Sequence, residues 1–349
     1  MRRIGLWLGA IIGALTTVLG FIFNLDNLGN LVTDRVQQRA SYTQLLNTVD
    51  QQTAERKYDL AWAGIKKAIE LREAQGWKLR GLPSLDDAQA KQADIAMAWL
   101  RDIQLVGEGM KFTAVVEQLE PALQREELKT SGSRRADLVA HLGYADFLRS
   151  RDGQGGLQPE ARYQEALRID PSNPFANAML GHWRLWNGGT LQESEKLFKA
   201  ALEAKRAGVF VRGLQLAALA NRHNDDADFA YLHSVNEMRK NGEAIADMER
   251  VRSQADSIYY FNGTHSEHLD RVLHALPPSE HLELVHWLLA AEKNDSKRIN
   301  YEYIAALLEE ESGDPRLAQK HLIELRMQLP KSSVYRIEIE SALRRLSTR

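Results

Sequence analysis

From residue 35 onward, apolar residues recur at intervals of three and four and almost never alternate with polar ones. Residues spaced in this way share one face of an α-helix, so the pattern is typical of amphipathic helices. Two clear stripes are Leu269, Val272, Leu273 and Leu276, and then Leu282, Val285 and Leu289. The breaks between stripes are short and rich in Gly, Pro, Asn and Asp, which favour turns. The pattern predicts an all-α body of helices joined by short connections.

The N-terminal apolar run differs from these stripes because it has no polar face. Residues 4–23 contain no charge, and at 1.5 Å per residue they would form a helix about 30 Å long, the thickness of a bilayer core. A cleaved signal peptide would have a shorter apolar region followed by small residues. This run ends in Phe-Ile-Phe instead. We predict a transmembrane anchor over 4–23, between a cytoplasmic segment 1–3 and a juxtamembrane linker 24–35.

The charges that flank the anchor predict its orientation. Arg2 and Arg3 precede it, and the first cation after it is Arg35. Because cytoplasmic flanks carry the excess of Lys and Arg, the N-terminus is expected in the cytoplasm and the body in the periplasm of a bacterial cell. Only two arginines decide this orientation, so a cytoplasmic body is the alternative.

The anchor also offers a face for self-association. Its glycines recur every four residues, at Gly5, Gly9 and Gly13. Small residues at this spacing let two membrane helices approach closely, which predicts a homodimer contact through the anchor. The bilayer itself is the other predicted partner of residues 4–23.

Two consecutive segments within residues 136–204 share an internal spacing. Ala166 and Ala201 are 35 residues apart, and Gly143 and Gly181 are 38 apart. Small residues at repeated positions let antiparallel helices approach while bulky residues fill the gap between them. A period of this length indicates a helical repeat.

Particular sequence motifs identify the kind of repeat. The segment 163–171 reads Tyr-Gln-Glu-Ala-Leu-Arg-Ile-Asp-Pro and ends the second helix of one unit. The pairs Leu142-Gly143 and Leu180-Gly181 lie in the first helices of the two units. A small–large–small pattern follows at Ser194, Phe198, Ala201 and Leu202. Residues 136–204 thereby resemble two consecutive tetratricopeptide (TPR) repeats.

The other parts of the body resemble TPR repeats to different degrees. Residues 36–135 are helical and weakly TPR-like, 205–300 are helical without a clean match, and 301–349 resemble a C-terminal TPR-like unit with a capping helix. The resemblance implies an α-solenoid of antiparallel helix pairs that follows the transmembrane helix.

A TPR array buries each helix pair only against its neighbours and leaves a concave groove lined by the first helices. The resemblance therefore implies a protein-binding scaffold or co-chaperone, not an enzyme, which holds a partner peptide or helix beside the membrane. The two clear repeats place these rings at the groove: Tyr144, Phe147, Phe175, His182 and Trp186. That the rings only fill the interface between repeats remains the alternative.

Composition narrows the chemistry further. The 349 residues include 45 Lys and Arg against 47 Asp and Glu, so no basic field favours nucleic acid. Cysteine is absent, which excludes disulfides, thiolate metal sites and cysteine nucleophiles. Phosphate-loop, dinucleotide-binding and nucleophile-elbow motifs are also missing from the sequence. We predict no cofactor and no nucleic-acid partner.

Two polar clusters remain as candidates for metal binding. Five of the ten histidines lie together at His265, His268, His274, His281 and His286. Helical phasing predicts His274 in solvent and His286 in the core. Whether this cluster binds a metal stays open, and a helical hydrolase or metal-binding protein is the third functional hypothesis. Asp225, Asp226 and Asp228 directly precede an apolar run, which favours helix capping over a cation site.

Overall fold

The computed structural model describes residues 34–103, 111–260 and 266–347. Regular secondary structure in these ranges is entirely helical, as the apolar spacing predicts. The predicted anchor 4–23, its glycines Gly5, Gly9 and Gly13, and His265 lie outside the described residues. Among the residues that are described, no helix is both long enough and apolar enough to span a membrane.

Sixteen helices occupy the described ranges. In chain order they are α1 (34–54), α2 (Tyr58–Ala74), α3 (Leu85–Asp102), α4 (Phe112–Glu127), α5 (Gly132–Arg151), α6 (Pro159–Ile169), α7 (Pro174–Trp186), α8 (Leu191–Glu203), α9 (Gly208–Ala220), α10 (Asp225–Asn241), α11 (Met248–Ile258), α12 (Glu267–Leu273), α13 (Pro278–Ala291), α14 (Asp295–Glu311), α15 (Pro315–Gln328) and α16 (Tyr335–Ser347).

The helices begin where the sequence supplies donors and acceptors for their free ends. Ser84 and Asp87 form a reciprocal capping box at the start of α3. Proline occupies the first helical turn of four helices, where its missing N–H costs nothing: Pro159, Pro174, Pro278 and Pro315. These local signals set helix boundaries without the help of tertiary contacts.

The chain divides into two compact units, and the boundary runs through α5. Unit 1 comprises Met1–Ser131 and Tyr144–Leu157, and unit 2 comprises Gly132–Gly143 and Gln158–Arg349. In unit 1, α3 packs against both α2 and α4. In unit 2, chain neighbours pack together from α6 to α10 and again from α13 to α16, and α7 also contacts α9. This order of packing is solenoid-like.

The two clear repeats close on their glycines. A Cβ placed on Gly143 would lie 2.8 Å from both the Arg162 Cβ and the Tyr163 ring of α6. A Cβ on Gly181 would lie 3.3 Å from the Phe198 ring and the Ser194 carbonyl oxygen of α8. Both distances are too short for comfortable contact, so glycine is what allows each helix pair to approach.

The core histidine of α13 is His281, so the prediction for His286 is wrong. The helix buries His281, Leu284, Val285 and Leu288, whereas His286 is exposed. The apolar stripe Leu282, Val285 and Leu289 is rotated by about one residue from this buried face. The prediction placed the buried face one residue too far round the helix, because Leu282 and Leu289 lie on its flank.

His281 is held by hydrogen bonds at both ring nitrogens. Its Nε2 lies 2.7 Å from the Tyr259 hydroxyl, and its Nδ1 lies 3.0 Å from the Leu273 carbonyl oxygen. Burial lowers the pKa of His281 to about 4, so the ring is neutral at pH 7. The prediction for His274 is confirmed, because 70% of its side chain is exposed.

Candidate functional site

Unit 2 contains a cavity of about 920 Å³ among α8, α9 and α10. We call it the α9 cleft. Its size falls within the range of known ligand sites. Residues of α8, of the first half of α9, of α10 and of the turn after α10 line it.

The α9 cleft opens where the small-residue repeat fails. Gly181 is the eighth residue of the 13-residue helix α7, and Gln215 is the eighth residue of the 13-residue helix α9. Gly181 leaves room for the Phe198 ring, whereas Gln215 is buried and accepts a hydrogen bond from Arg212. A large polar side chain at this position does not leave the room that a glycine leaves.

A buried arginine fixes one end of the α9 cleft. Arg212 is only 5% exposed. Its Nε and Nη2 donate to the two carboxylate oxygens of Glu243 at 2.9 and 3.0 Å, and Nη2 also reaches Glu237 at 3.3 Å. Its Nη1 donates to the Gln215 Oε1 at 3.0 Å. A bidentate pair of this kind is both strong and geometrically specific.

The ion pair orders the turn that follows α10. Gly242 ends α10 with φ +61°, a left-handed conformation that favours glycine. Glu243 then turns back onto Arg212, and the hydrogen bond from Arg212 lowers the pKa of the Glu243 carboxyl. The α9 cleft is therefore preorganised at this end rather than closed by a loose loop.

The rim of the α9 cleft carries both signs of charge beside small apolar surfaces. Glu195, Lys199 and Glu203 follow one another at four-residue spacing along α8. Val209 and Ala230 contribute apolar lining from α9 and α10. A cleft of this composition suits a protein segment with mixed charges and a small apolar side chain.

The five predicted groove residues do not form one exposed surface. Tyr144, Phe147, Phe175 and His182 are buried, and Trp186 is 46% exposed. Tyr144 and Phe147 stack in unit 1 with ring centroids 5.7 Å apart. His182 and Trp186 stack in unit 2 at 6.3 Å. Partner binding by this set stays a prediction, and Trp186 is its accessible member.

Phe175 shows how such a ring fills an interface between repeats. It contacts His141 edge-on at 4.7 Å and Phe210 at 6.0 Å. The guanidinium of Arg206 lies 5.3 Å from the ring centroid and donates to both carboxylate oxygens of Asp137 at 2.8 Å. These contacts join α5, α7 and the start of α9, so they stabilise the stack.

The acidic cluster and one histidine of the predicted cluster meet at the start of α10. Asp225, Asp228 and His268 place possible metal-ligand atoms within 4.8 Å of one another. His268 Nδ1 lies 2.8 Å from the Asp225 Oδ1, and Arg271 Nε lies 2.7 Å from the Asp225 Oδ2. Ion pairs at a positive helix end explain this arrangement without a metal. The side-chain cap of α10 is Asn224, and the predicted acidic residues follow it in the first turn.

Sequence reasoning missed the α9 cleft because its residues form no known motif. One signal was available: an offset of 34 residues leads from Gly181 to Gln215, where a large polar residue replaces glycine. The partnership of Arg212 with Glu243 carries no sequence signal, because 31 residues separate the two.

No protein-family model and no curated protein matches the chain. Among solved structures, it is similar to a tetratricopeptide repeat protein from Parabacteroides merdae, with 11% identity and a TM-score of 0.39 over 89% of this chain and 100% of that one. It is also similar to the P58(IPK) TPR domain, with 13% identity and a TM-score of 0.18 over 88% and 98% of the two chains.

The helix pairs of the chain themselves have the geometry of a repeat. In residues 136–204, two pairs close on Gly143 and Gly181 in the way that the sequence motifs predict. Residues 136–204 therefore fold as antiparallel helix pairs, as the resemblance to TPR repeats implies. The TPR-like pairs account for residues 136–204, and the α9 cleft begins directly after them.

Proposed function

We propose that the protein is a membrane-tethered scaffold or co-chaperone that binds a segment of a partner protein in the α9 cleft. The observation that carries this proposal is an open cavity of about 920 Å³ beside the TPR-like pairs, with Arg212 buried in its lining. Repeat folds of this kind present surfaces rather than reacting groups. The mixed charge of the rim supports a protein partner over a nucleic acid.

The tether is the predicted transmembrane helix over residues 4–23, and the proposed location of the body is the periplasmic side of the inner membrane. The charge-free run of twenty residues supports the tether. Anchoring would raise the effective concentration of the cleft near membrane-bound partners without any new contact. Pairing of two anchors through Gly5, Gly9 and Gly13 would double the number of clefts at one place.

A photo-crosslinking residue tests the cleft. Val209 lies in the α9 cleft and Ile337 lies on α16, and both side chains are exposed. The crosslinker at position 209 should give a discrete adduct in cells, and the same group at position 337 should not. An adduct at both positions, or at neither, would contradict a partner site in the α9 cleft.

A single cysteine tests the topology, because the chain contains none. Ser296 is exposed in the first turn of α14, so Ser296→Cys should react without disturbing the fold. Labelling by a membrane-impermeant maleimide, after the outer membrane is permeabilised, is expected for a periplasmic body. Labelling only after lysis would instead support a cytoplasm-facing adaptor.

A further inference from the structure

The loop between α2 and α3 folds back onto the start of α1 in unit 1. The Lys78 ammonium lies 2.5 Å from an Asp34 carboxylate oxygen. Arg39 Nη1 donates to the Arg80 carbonyl oxygen at 2.5 Å, and the Tyr42 hydroxyl donates to the Pro83 carbonyl oxygen at 3.1 Å. Three contacts over two turns of α1 fix this loop beside residue 34.

The surface that these contacts create is both aromatic and cationic. Trp77 is 62% exposed, and the Lys78 ammonium lies 5.4 Å from its ring centroid. Val36 is 61% exposed on the first turn of α1. Arg35 and Arg80 are exposed beside them. We call Arg35, Val36, Trp77, Lys78 and Arg80 the juxtamembrane patch.

The linker limits how far this end of unit 1 can lie from the predicted anchor. Ten residues, 24–33, separate Phe23 from Asp34, and a chain of that length spans at most about 35 Å. The patch has three cations, and one of them, Lys78, already engages the carboxylate of Asp34. An excess of cations next to a membrane segment is attracted to anionic headgroups.

We propose that the juxtamembrane patch rests on the surface of an anionic bilayer, with Trp77 at the level of the headgroups. Tryptophan has an apolar body and an N–H donor, and it is enriched at that depth for this reason. The proposal rests on the tether of the proposed function. It gives unit 1 a fixed orientation on the membrane, which a linker of ten residues alone would not provide.

The test uses the full chain in vesicles of phosphatidylcholine with or without phosphatidylglycerol. Val36→Cys carries an environment-sensitive fluorophore inside the patch, and Leu128→Cys, at an 86% exposed position of unit 1, is the matched control. A lipid-borne quencher should act severalfold more on the label at 36 than on that at 128. The excess should need phosphatidylglycerol and should fall severalfold with Trp77→Ala.

Two measurements separate the failure of this inference from failure of the tether. Flotation of the vesicles at alkaline pH first establishes whether the chain is integral to the bilayer. A chain that does not float would overturn the tether and the patch together. A chain that floats, with equal quenching at 36 and 128 or no response to Trp77→Ala, would overturn the patch alone. In that case Trp77 would be a surface for another protein.

Discussion

The helix pairs α7–α8 and α9–α10 follow one another along the chain but solve the same packing problem differently. At the eighth position of its first helix, the earlier pair has Gly181 against the Phe198 ring, and the later pair has Gln215 bonded to Arg212. The earlier pair closes on a glycine against an apolar ring, and it also buries Asn177, His182 and Ser194. The later pair buries polar side chains and leaves the α9 cleft.

The difference teaches that the regular repeat and the candidate site have opposite requirements. Close approach of two helices needs a small residue and leaves no room for a ligand. A preorganised site needs polar groups that are held by other polar groups. The chain therefore places its clearest repeats and the α9 cleft next to each other, and α8 belongs to both.

Placing the glutamine of α9 at the glycine position of α7 should have the largest effect on stability. Gly181→Gln would drive a side chain into the Phe198 ring and bury an amide, so we expect the free energy of unfolding to fall by about 3–4 kcal/mol. Urea unfolding of the purified chain measures it.

The matched control is Gly213→Gln on α9, where an added Cβ meets nothing within 4 Å. We expect that variant to be neutral or more stable by up to about 1 kcal/mol, because glycine is a poor helix former. Equal losses in the two variants would mean that the Gly181 contact does not close the pair.

Acid should lower the stability of the fold through the buried His281 of α13. Its pKa is about 4 in the folded chain, below the ordinary value of 6.5, so the unfolded chain takes up the proton first. The contribution of the neutral His281 to the free energy of unfolding is fully present above pH 6.5. It falls by about 2–3 kcal/mol as the pH drops from 6.5 towards 4. Urea unfolding at a series of pH values measures the slope.

His281→Gln should remove this part of the pH dependence, and His286→Gln, at an exposed position of the same helix, should leave it unchanged. A slope that survives in His281→Gln would show that other groups cause the acid sensitivity.

Loss of the buried Arg212 should lower the free energy of unfolding less than Gly181→Gln does. It should weaken partner binding more. Arg212→Met leaves Glu243 without its bidentate partner, and we expect about 2 kcal/mol of destabilisation because Glu243 remains partly exposed. The adduct at Val209 should disappear, because the turn after α10 loses its anchor. Lys205→Met, at an exposed position of the same cleft, serves as the control and should keep the stability within about 0.5 kcal/mol.

The smallest effect on stability is expected from Trp186→Ala. Its ring is half exposed and stacks on His182, so the loss should be about 0.5–1 kcal/mol. Partner capture then decides between two surfaces. If Trp186→Ala abolishes the adduct at Val209 and Arg212→Met does not, the partner depends on Trp186 and not on the end of the α9 cleft that Arg212 orders.

Sequence patterns anticipated the helices and the glycine contacts but not the site. The repeat spacing placed Gly143 and Gly181 correctly, because one missing side chain decides whether two helices can touch. Phasing failed for His286, since leucines on the flank of α13 outweighed the single His281 that points inward. Mapping onto the repeat put Tyr144 and Phe147 on or near a groove; both rings are buried, and partner binding there stays a prediction.

The sequence by itself determined that the described chain is helical, where its turns fall and which glycines let helices close. Those features depend on local periodicity, on turn residues and on steric contact, all of which are written in short segments. Only the tertiary structure decided that Arg212 meets Glu243, that His281 meets Tyr259 and that Lys78 meets Asp34. Each of these pairs depends on the rotation and offset of packed helices, which no short segment specifies.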